Sequence, residues 1–321
     1  MLKMPQIKFL LTRLVVLSLA LPVAPPIGSA HHPAQLRGPY FGQKPPGMTA
    51  IIFAPGIVSS DSIEHSAPAF SPDGKQVLWT RIYPGHPAFM LEMDMQNGKW
   101  THPIRPSFSS AIADDFYPDF AVDGTKLYFS SRRPLPAGYP RSEDMWIWQV
   151  EKTSNGWGTP VPLDSAAIKG FDYAHSISAN GTLYFSSRRP GAQDFDIYFT
   201  HPVNGKYASA QRLANGINSP GYEDGPFIAP DESYLIFESQ RKESIGGSID
   251  LFICFRQKDK TWSKPKNMGP KINTKFSERF AKVSPDGKYL FFGSNRKQQA
   301  DNLYYDIYWI DAKIIQDLRD H

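Results

Sequence analysis

Five short segments of this 321-residue chain place charged side chains at one fixed distance from a common landmark. Counting five residues back from Phe70, Phe120, Ile177, Ile228 and Val283 gives His65, Asp115, Asp172, Glu223 and Glu278. Beside them stand Glu64, Asp114, Tyr173, Asp224 and Arg279, with Tyr117 and His175 close by. Carboxylates gathered round one axis raise one another's pKa unless something positive sits among them. A hard cation such as Ca2+, held by oxygen ligands, would satisfy that need. A bound sugar could instead use the acids as a general acid and base. The structural alternative is that each acid caps backbone N–H groups of a neighbouring unit or pairs with a nearby arginine. Asymmetry favours function, because His65 stands in for an acid once and Tyr173, His175 and Arg279 each occur once in the set. The candidate ligand-binding residues are therefore His65, Asp115, Asp172, Tyr173, His175, Glu223, Asp224, Glu278 and Arg279; no catalytic residue and no metal-ligand motif can be singled out.

The landmark belongs to a repeat. Phe70-Ser-Pro-Asp-Gly74, Phe120-Ala-Val-Asp-Gly124, Ile177-Ser-Ala-Asn-Gly181, Ile228-Ala-Pro-Asp-Glu232 and Val283-Ser-Pro-Asp-Gly287 recur every 50–57 residues. Pro presets φ and Gly tolerates φ > 0, so each is a tight turn between two strands. The run that follows, such as Leu127-Tyr128-Phe129 or Leu290-Phe291-Phe292, is apolar on consecutive residues. Such a strand is covered on both faces. A third strand starts near Asp144, Asp196, Asp250 and Asp306, and a fourth near Trp100, Trp157, Tyr207 and Trp262. A repeat of this length with four short strands predicts an all-β propeller of five four-stranded blades, with six as the alternative if residues 31–49 add strands. The last repeat lacks a fourth strand. Residues 50–57 match that strand elsewhere and are expected to complete the ring, removing the open edges that invite aggregation. The carboxylate segments would then enter the innermost strands and line the mouth of the central channel. The loops 83–87, 135–143 and 297–305 would overhang it. Helical periodicity is confined to a short tail, residues 312–318.

Recurrence separates scaffold from speciality. Arg133, Arg189, Arg241 and Arg296 fill one column, and Asp144, Asp196, Asp250 and Asp306 another. The first repeat lacks both, so the two are expected to clamp the ends of one hairpin loop by a charge-assisted hydrogen bond. The recurring Trp and Tyr residues are read as blade packing rather than sugar platforms. Cys254, the lone cysteine, sits in an apolar run and is read as core.

Residues 1–30 read as a secretory signal peptide: Lys3, Lys8 and Arg13, an apolar stretch from Leu14 to Val23, then small residues ending at Ala30, with Ala24 as the other cleavage point. No cysteine stands near the cut for lipid attachment, and the apolar stretch is too short to span a bilayer. That gives a Pro/Gly-rich segment at 31–48 and a single propeller domain at 49–321. The leader holds three of the bases and no acid, so a formal charge of +4 falls to +1 without it. Near-neutral charge gives no electrostatic ground for a nucleic-acid partner. Hydrolase elbows, phosphate loops and zinc helices are absent from the sequence.

Ser-Pro-Asp-Gly-Lys before an aromatic strand, then Ser-Ser-Arg-Arg and Asp-Ile-Tyr, resembles the TolB-like propeller repeat family from about residue 49 to 311. Proteins with such repeats include periplasmic scaffolds, some polysaccharide lyases and the gating propellers of certain peptidases. The resemblance implies a periplasmic or secreted binding protein for a small ligand, a cation or a partner's peptide. The alternative is a polysaccharide-active lyase or glycoside hydrolase acting on an oligosaccharide. Propeller lyases would give His65, His175, Tyr173 and Arg279 base and charge-neutralising roles, but their motifs do not match residue by residue and no role is carried over.

Overall fold

Every repeat opens with the same local event. In the tight turns the acid accepts the backbone N–H two residues on: Asp73 from Lys75 at 3.1 Å, Asp231 from Ser233 at 3.0 Å and Asp286 from Lys288 at 3.2 Å. Gly74, Gly124 and Gly287 follow with φ of 67°, 71° and 71°, a left-handed conformation that a side chain would strain. Around these turns the computed structural model describes residues 36–60, 62–64, 66–139, 144–164, 167–168, 171–190, 192–214, 216–297 and 305–320. The proposed leader and His65 lie outside the described residues, as do 140–143 and 298–304 of two overhanging loops.

Five antiparallel blade sheets result, with a small hairpin, Pro202–Val203 against Lys206–Tyr207, beside the third. Blade one carries Ile63–Glu64 and Ala69–Phe70 innermost, then Gln76–Ile82, Phe89–Gln96 and Lys99–Trp100. The inner strands of the next four are Asp115–Phe120, Asp172–Ile177, Glu223–Ile228 and Glu278–Val283. Their second strands are Lys126–Ser131, Leu183–Ser187, Tyr234–Ser239 and Tyr289–Ser294, and their third begin at Trp146, Asp196, Asp250 and Asp306. Blade five is completed by Ile51–Ile52, with Ile51 opposite Trp309 and Ile52 opposite Tyr308. The propeller therefore has five blades, closed by the N-terminal strand. Residues 36–48 contribute a 3-10 turn, Pro39–Gly42, and an isolated bridge from Arg37 to Lys99, so they add no blade among the described residues.

The consecutive apolar residues of the second strands fill the gaps between blades. Trp79, Phe129, Phe185, Phe237 and Phe291 are completely buried, as are Trp146 and Trp309. Each such side chain withdrawn from water contributes on the order of 2–3 kcal/mol. The segment before the propeller packs on it at the seam of blades five and one. Phe41 stacks on Phe53 at 5.6 Å, Trp100 donates its indole N–H to Gly38 O at 2.8 Å, and Tyr40 donates to Asp286 at 2.8 Å. Cys254 is buried core. The tail forms one helix, Lys313–Asp320, which buries Ile314 and Ile315.

Candidate functional site

The inner acids occupy the end of each blade where the chain enters its innermost strand. Asp115, Asp172, Glu223 and Glu278 are closed to solvent, and each faces the arginine two residues beyond its second strand. Arg241 donates to Glu223 at 2.9 Å while Ser239 and Ser219 donate to the same carboxylate at 2.7 and 2.6 Å. Arg133 donates to Asp115 at 2.7 Å and Ser110 N–H at 2.7 Å. Glu278 accepts from Ser294 and Thr274, with Arg296 at 3.3 Å; Arg189 lies 3.7 Å from Asp172. Each guanidinium also donates to a carbonyl at the end of the preceding blade, as Arg241 does to Ile217 O at 2.6 Å, and lies against the rings of its own second and third strands. These are inter-blade staples.

Two expectations are corrected here. The arginine column clamps the inner carboxylates, while at Asp196, Asp250 and Asp306 the acids that open the third strands take other partners. Of those, Asp196 pairs with Arg212 at 2.6 Å, Asp250 accepts from Asn267 and Ile245 N–H, and Asp306 lies 3.8 Å from Lys297. Second, blade one keeps its acid. Glu64 lies opposite Arg81 in the sheet, as Asp115 lies opposite Ser131, and one extra residue before Phe70 moves the acid one place upstream. Counting back from the landmark therefore lands on His65 instead. Glu64 accepts from Ser60 Oγ at 2.8 Å and Ser62 Oγ at 2.9 Å, but Arg81 stands off at 3.9 Å and Oε2 has no partner among the described residues. Burial, which dominates over the serines and Arg81, pushes its pKa up to about 8.

The channel is plugged just inside this ring. In blades two to five the inner strand shifts register at a bulge. At three of them the backbone is left-handed: Tyr117 at φ 55°, Gly225 at φ 59° and Phe280 at φ 46°. Tyr117 meets Phe280 at 4.8 Å and Tyr173 at 4.9 Å between ring centres, and all lie in one cluster with Phe116 and Ala174. A Cβ on Gly225 would come 3.0 Å from Phe280 Cδ1, so this blade meets the plug with a glycine. The bulges are held by the neighbouring blade: Thr80 Oγ1 accepts Tyr117 N–H, Ser130 donates to Tyr173 O, and Glu238 accepts Phe280 N–H.

Above the plug lies a coupled polar group that includes Asp224 and Arg279. Arg279 donates to Glu238 at 2.8 Å and to Tyr222, and Tyr222 donates to Asp224 at 2.7 Å; Ser186 also donates to Asp224. Two carboxylates share one guanidinium. Burial and the charge of Glu238 together outweigh Arg279 and raise the Asp224 pKa to about 6. Beside the group Phe195 lies between Phe171, Tyr173 and Tyr222, all half-buried, and Arg188 lies over Phe171 at 4.6 Å. Below the plug Lys282 of blade five donates to Asp119 of blade two across the channel. His175 is buried beside it. Its Nδ1 lies 3.2 Å from Ser130 Oγ and 3.4 Å from Tyr173 O. Burial lowers its pKa to about 4.

Asp224 and Arg279 are thus brought together above the plug, Tyr173 forms part of it, His175 lies below it, and the four ring acids are locked between blades. Glu238 escaped the sequence reading. It stands in the column Thr80, Ser130, Ser186, Glu238, Gly293, where its size and charge set it apart. Asp119 and Lys282 share a column with Ala69, Ser176 and Phe227, and their opposite charges are the corresponding signal. No three His, Cys, Asp or Glu side chains converge to hold a metal ion among the described residues.

A five-bladed propeller with a closed channel and a polar, aromatic mouth is the class this geometry defines. Its fold is TolB-like. Over 77% of each chain it superposes on a TolB structure from Agrobacterium tumefaciens with a TM-score of 0.50 at 21% identity. TolB from Acinetobacter baumannii matches 63% of this chain and 45% of its own, with a TM-score of 0.41 at 17% identity. A thermostable family-43 glycoside hydrolase matches 77% and 88%, with a TM-score of 0.49 at 13% identity. No protein-family model and no curated protein matches the sequence. No helix among the described residues is long and apolar enough to cross a membrane.

Proposed function

We propose that this chain is an exported, periplasmic or secreted binding propeller that serves as a scaffold for a protein partner at its channel mouth. The observation that carries this reading is the allocation of the polar groups. The ring acids are tied to arginines between blades, the channel floor is sealed by Tyr117, Tyr173 and Phe280, the Asp224, Glu238 and Arg279 charges are paired with one another, and what remains at the mouth is a rim of aromatic rings with Arg188. Aromatic and arginine side chains over a closed floor suit contact with a partner's side chains. The test is co-purification with the tagged chain, quantified for the wild type and for Phe195→Ser/Arg188→Glu. One protein recovered in fixed ratio and lost with the double variant supports the reading; recovery unchanged by it overturns it.

A second reading, a polysaccharide-active enzyme, draws on one observation. Asp224 holds its proton to about pH 6 beside Tyr222 and Arg279, as a general acid would. Turnover of polyuronides and neutral glycans, abolished by Asp224→Asn with the melting temperature retained, would replace the scaffold reading.

A further inference from the structure

The densest run of positive charge on the chain lies on blade four and its link to blade five. Residues 256–275 hold seven Lys and Arg against one acid, Asp259, in a protein whose whole formal charge is +4. The remainder is therefore net negative, and blade four stands out electrostatically. This stretch is its outer edge. The chain leaves the third strand at Phe255, turns through 257–260, returns along Lys266–Asn267 and crosses to blade five at Glu278. Lys258 and Lys260 sit at one end of the edge, Lys264 along it, and Lys271 and Lys275 at the other, all exposed and none in an ion pair among the described residues. A six-residue strand is about 20 Å long, so the lysines form a stripe rather than a point. Lys266 and Arg256 are engaged otherwise, with Leu318 O and the Trp262 ring.

A cavity of about 500 Å³ opens in the flank of this stripe, lined by Gly216, Arg241, Glu243, Trp262, Lys264 and Pro265. That volume suits a small ligand. Its lining is built: the Trp262 indole is packed among Leu213 and Ile217, and Arg241 is fixed by Glu223 and two carbonyls. The mixture is specific. Lys264 offers a cation, Pro265 with the small exposed part of Trp262 an apolar surface, and Glu243 an acceptor. A polyphosphate would gain nothing from Glu243, whose charge repels it, and a flat bilayer surface cannot enter the cavity. A sugar acid carries a carboxylate, hydroxyl donors and C–H faces, and needs all three.

The geometry points to an acidic polysaccharide bound along the outer edge of blade four, with one uronate ring seated in the Trp262 cavity and its neighbours on the flanking lysines. The probe is a hexamer of galacturonate titrated into the full chain by calorimetry, against polyphosphate, a single-stranded oligonucleotide and vesicles of anionic lipid. Affinity for the hexamer falls at least about tenfold as salt rises from about 50 to 200 mM. At low salt Lys258→Gln/Lys264→Gln/Lys271→Gln loses at least about tenfold; these side chains are exposed, and unchanged melting confirms the fold. Glu243→Ala is the discriminating variant. It weakens the hexamer several-fold if Glu243 accepts a sugar hydroxyl, whereas simple attraction to a basic stripe would tighten binding when that acid is removed. Tightening in Glu243→Ala, an unaffected triple variant, or firmer binding of any of the other three probes would overturn the assignment.

Discussion

Replacing Glu64 by glutamine makes the stability of the whole ring change its pH dependence. Glu64 is the least well matched of the five staples, with its arginine at 3.9 Å where Arg133 and Arg241 sit at 2.7 and 2.9 Å. Its pKa of about 8 in the fold compares with 4.5 for a free glutamate side chain. Below pH 4.5 both states hold the proton and the group contributes nothing. Between the two values the unfolded chain releases the proton while the folded chain keeps it, so stability falls as pH rises and levels off above about 8. At about 1.4 kcal/mol for each tenfold in proton affinity the ceiling is about 5 kcal/mol, and relaxation of the site brings the expected loss to about 2–3 kcal/mol. The Glu64→Gln side chain would keep the acceptor used by Ser60 and Ser62, but its amide nitrogen would stand where Oε2 lacks a partner, at a pH-independent cost of about 1–2 kcal/mol. Glu64→Gln is therefore less stable than the wild type at pH 5 and equal or more stable at pH 9. Urea unfolding followed by tryptophan fluorescence at pH 5, 7 and 9 reads the crossing. A difference constant to within about 0.5 kcal/mol across that range would refute the assignment of Glu64 as a buried, poorly compensated acid.

Three further outcomes follow from the same geometry. Arg241→Leu leaves Glu223 buried without its counter-charge and costs about 3–5 kcal/mol in urea unfolding, while Glu223→Leu/Arg241→Leu recovers much of the loss. Gly225→Ala, at φ 59° with Phe280 Cδ1 at 3.0 Å from the new Cβ, lowers stability by about 1–2 kcal/mol; an unchanged melting temperature would mean that the plug does not press on this bulge. Cys254, buried and with its thiol pushed up to about 12, reacts with a disulfide reagent only at the rate of unfolding, and fast labelling of the native chain would contradict its place in the core.

The architecture is legible because propeller repeats write it several times. The Pro-Asp-Gly turns, the continuous apolar strands and the match of residues 50–57 to an outer strand each have one physical meaning, and each appears in the fold. The inner acids were legible as a column but not as staples. Their partners lie at the end of the adjoining strand and just beyond it, sixteen to eighteen residues away for Glu223, a contact made by register rather than by spacing along the chain. Blade one shows the limit most sharply, since one inserted residue moved the acid from the counted position to Glu64. Glu238 was missed because it looks like a surface residue in an apolar strand until a bulge in the next blade supplies Arg279. The plug itself depends on left-handed backbone at Tyr117 and Phe280, which no propensity favours at aromatic residues.

The closing strand also sets a schedule. Ser59 exchanges hydrogen bonds with Ile307, 248 residues later, and Ile51 and Ile52 complete a sheet whose other members come last in the chain. During synthesis blades one to four can assemble as they emerge, but they form an open arc whose two end blades each leave an apolar face uncovered. Only when residues 306–311 arrive can residues 51–52 dock and seal the circle. Joining ends so distant in sequence is entropically costly, so the open arc, with its apolar faces bare, is the form in which the chain is exposed to association before the ring closes. Damage at Ile51 or Ile52 therefore acts through timing: it lengthens the life of the arc in every molecule made, even where the finished ring would tolerate the change.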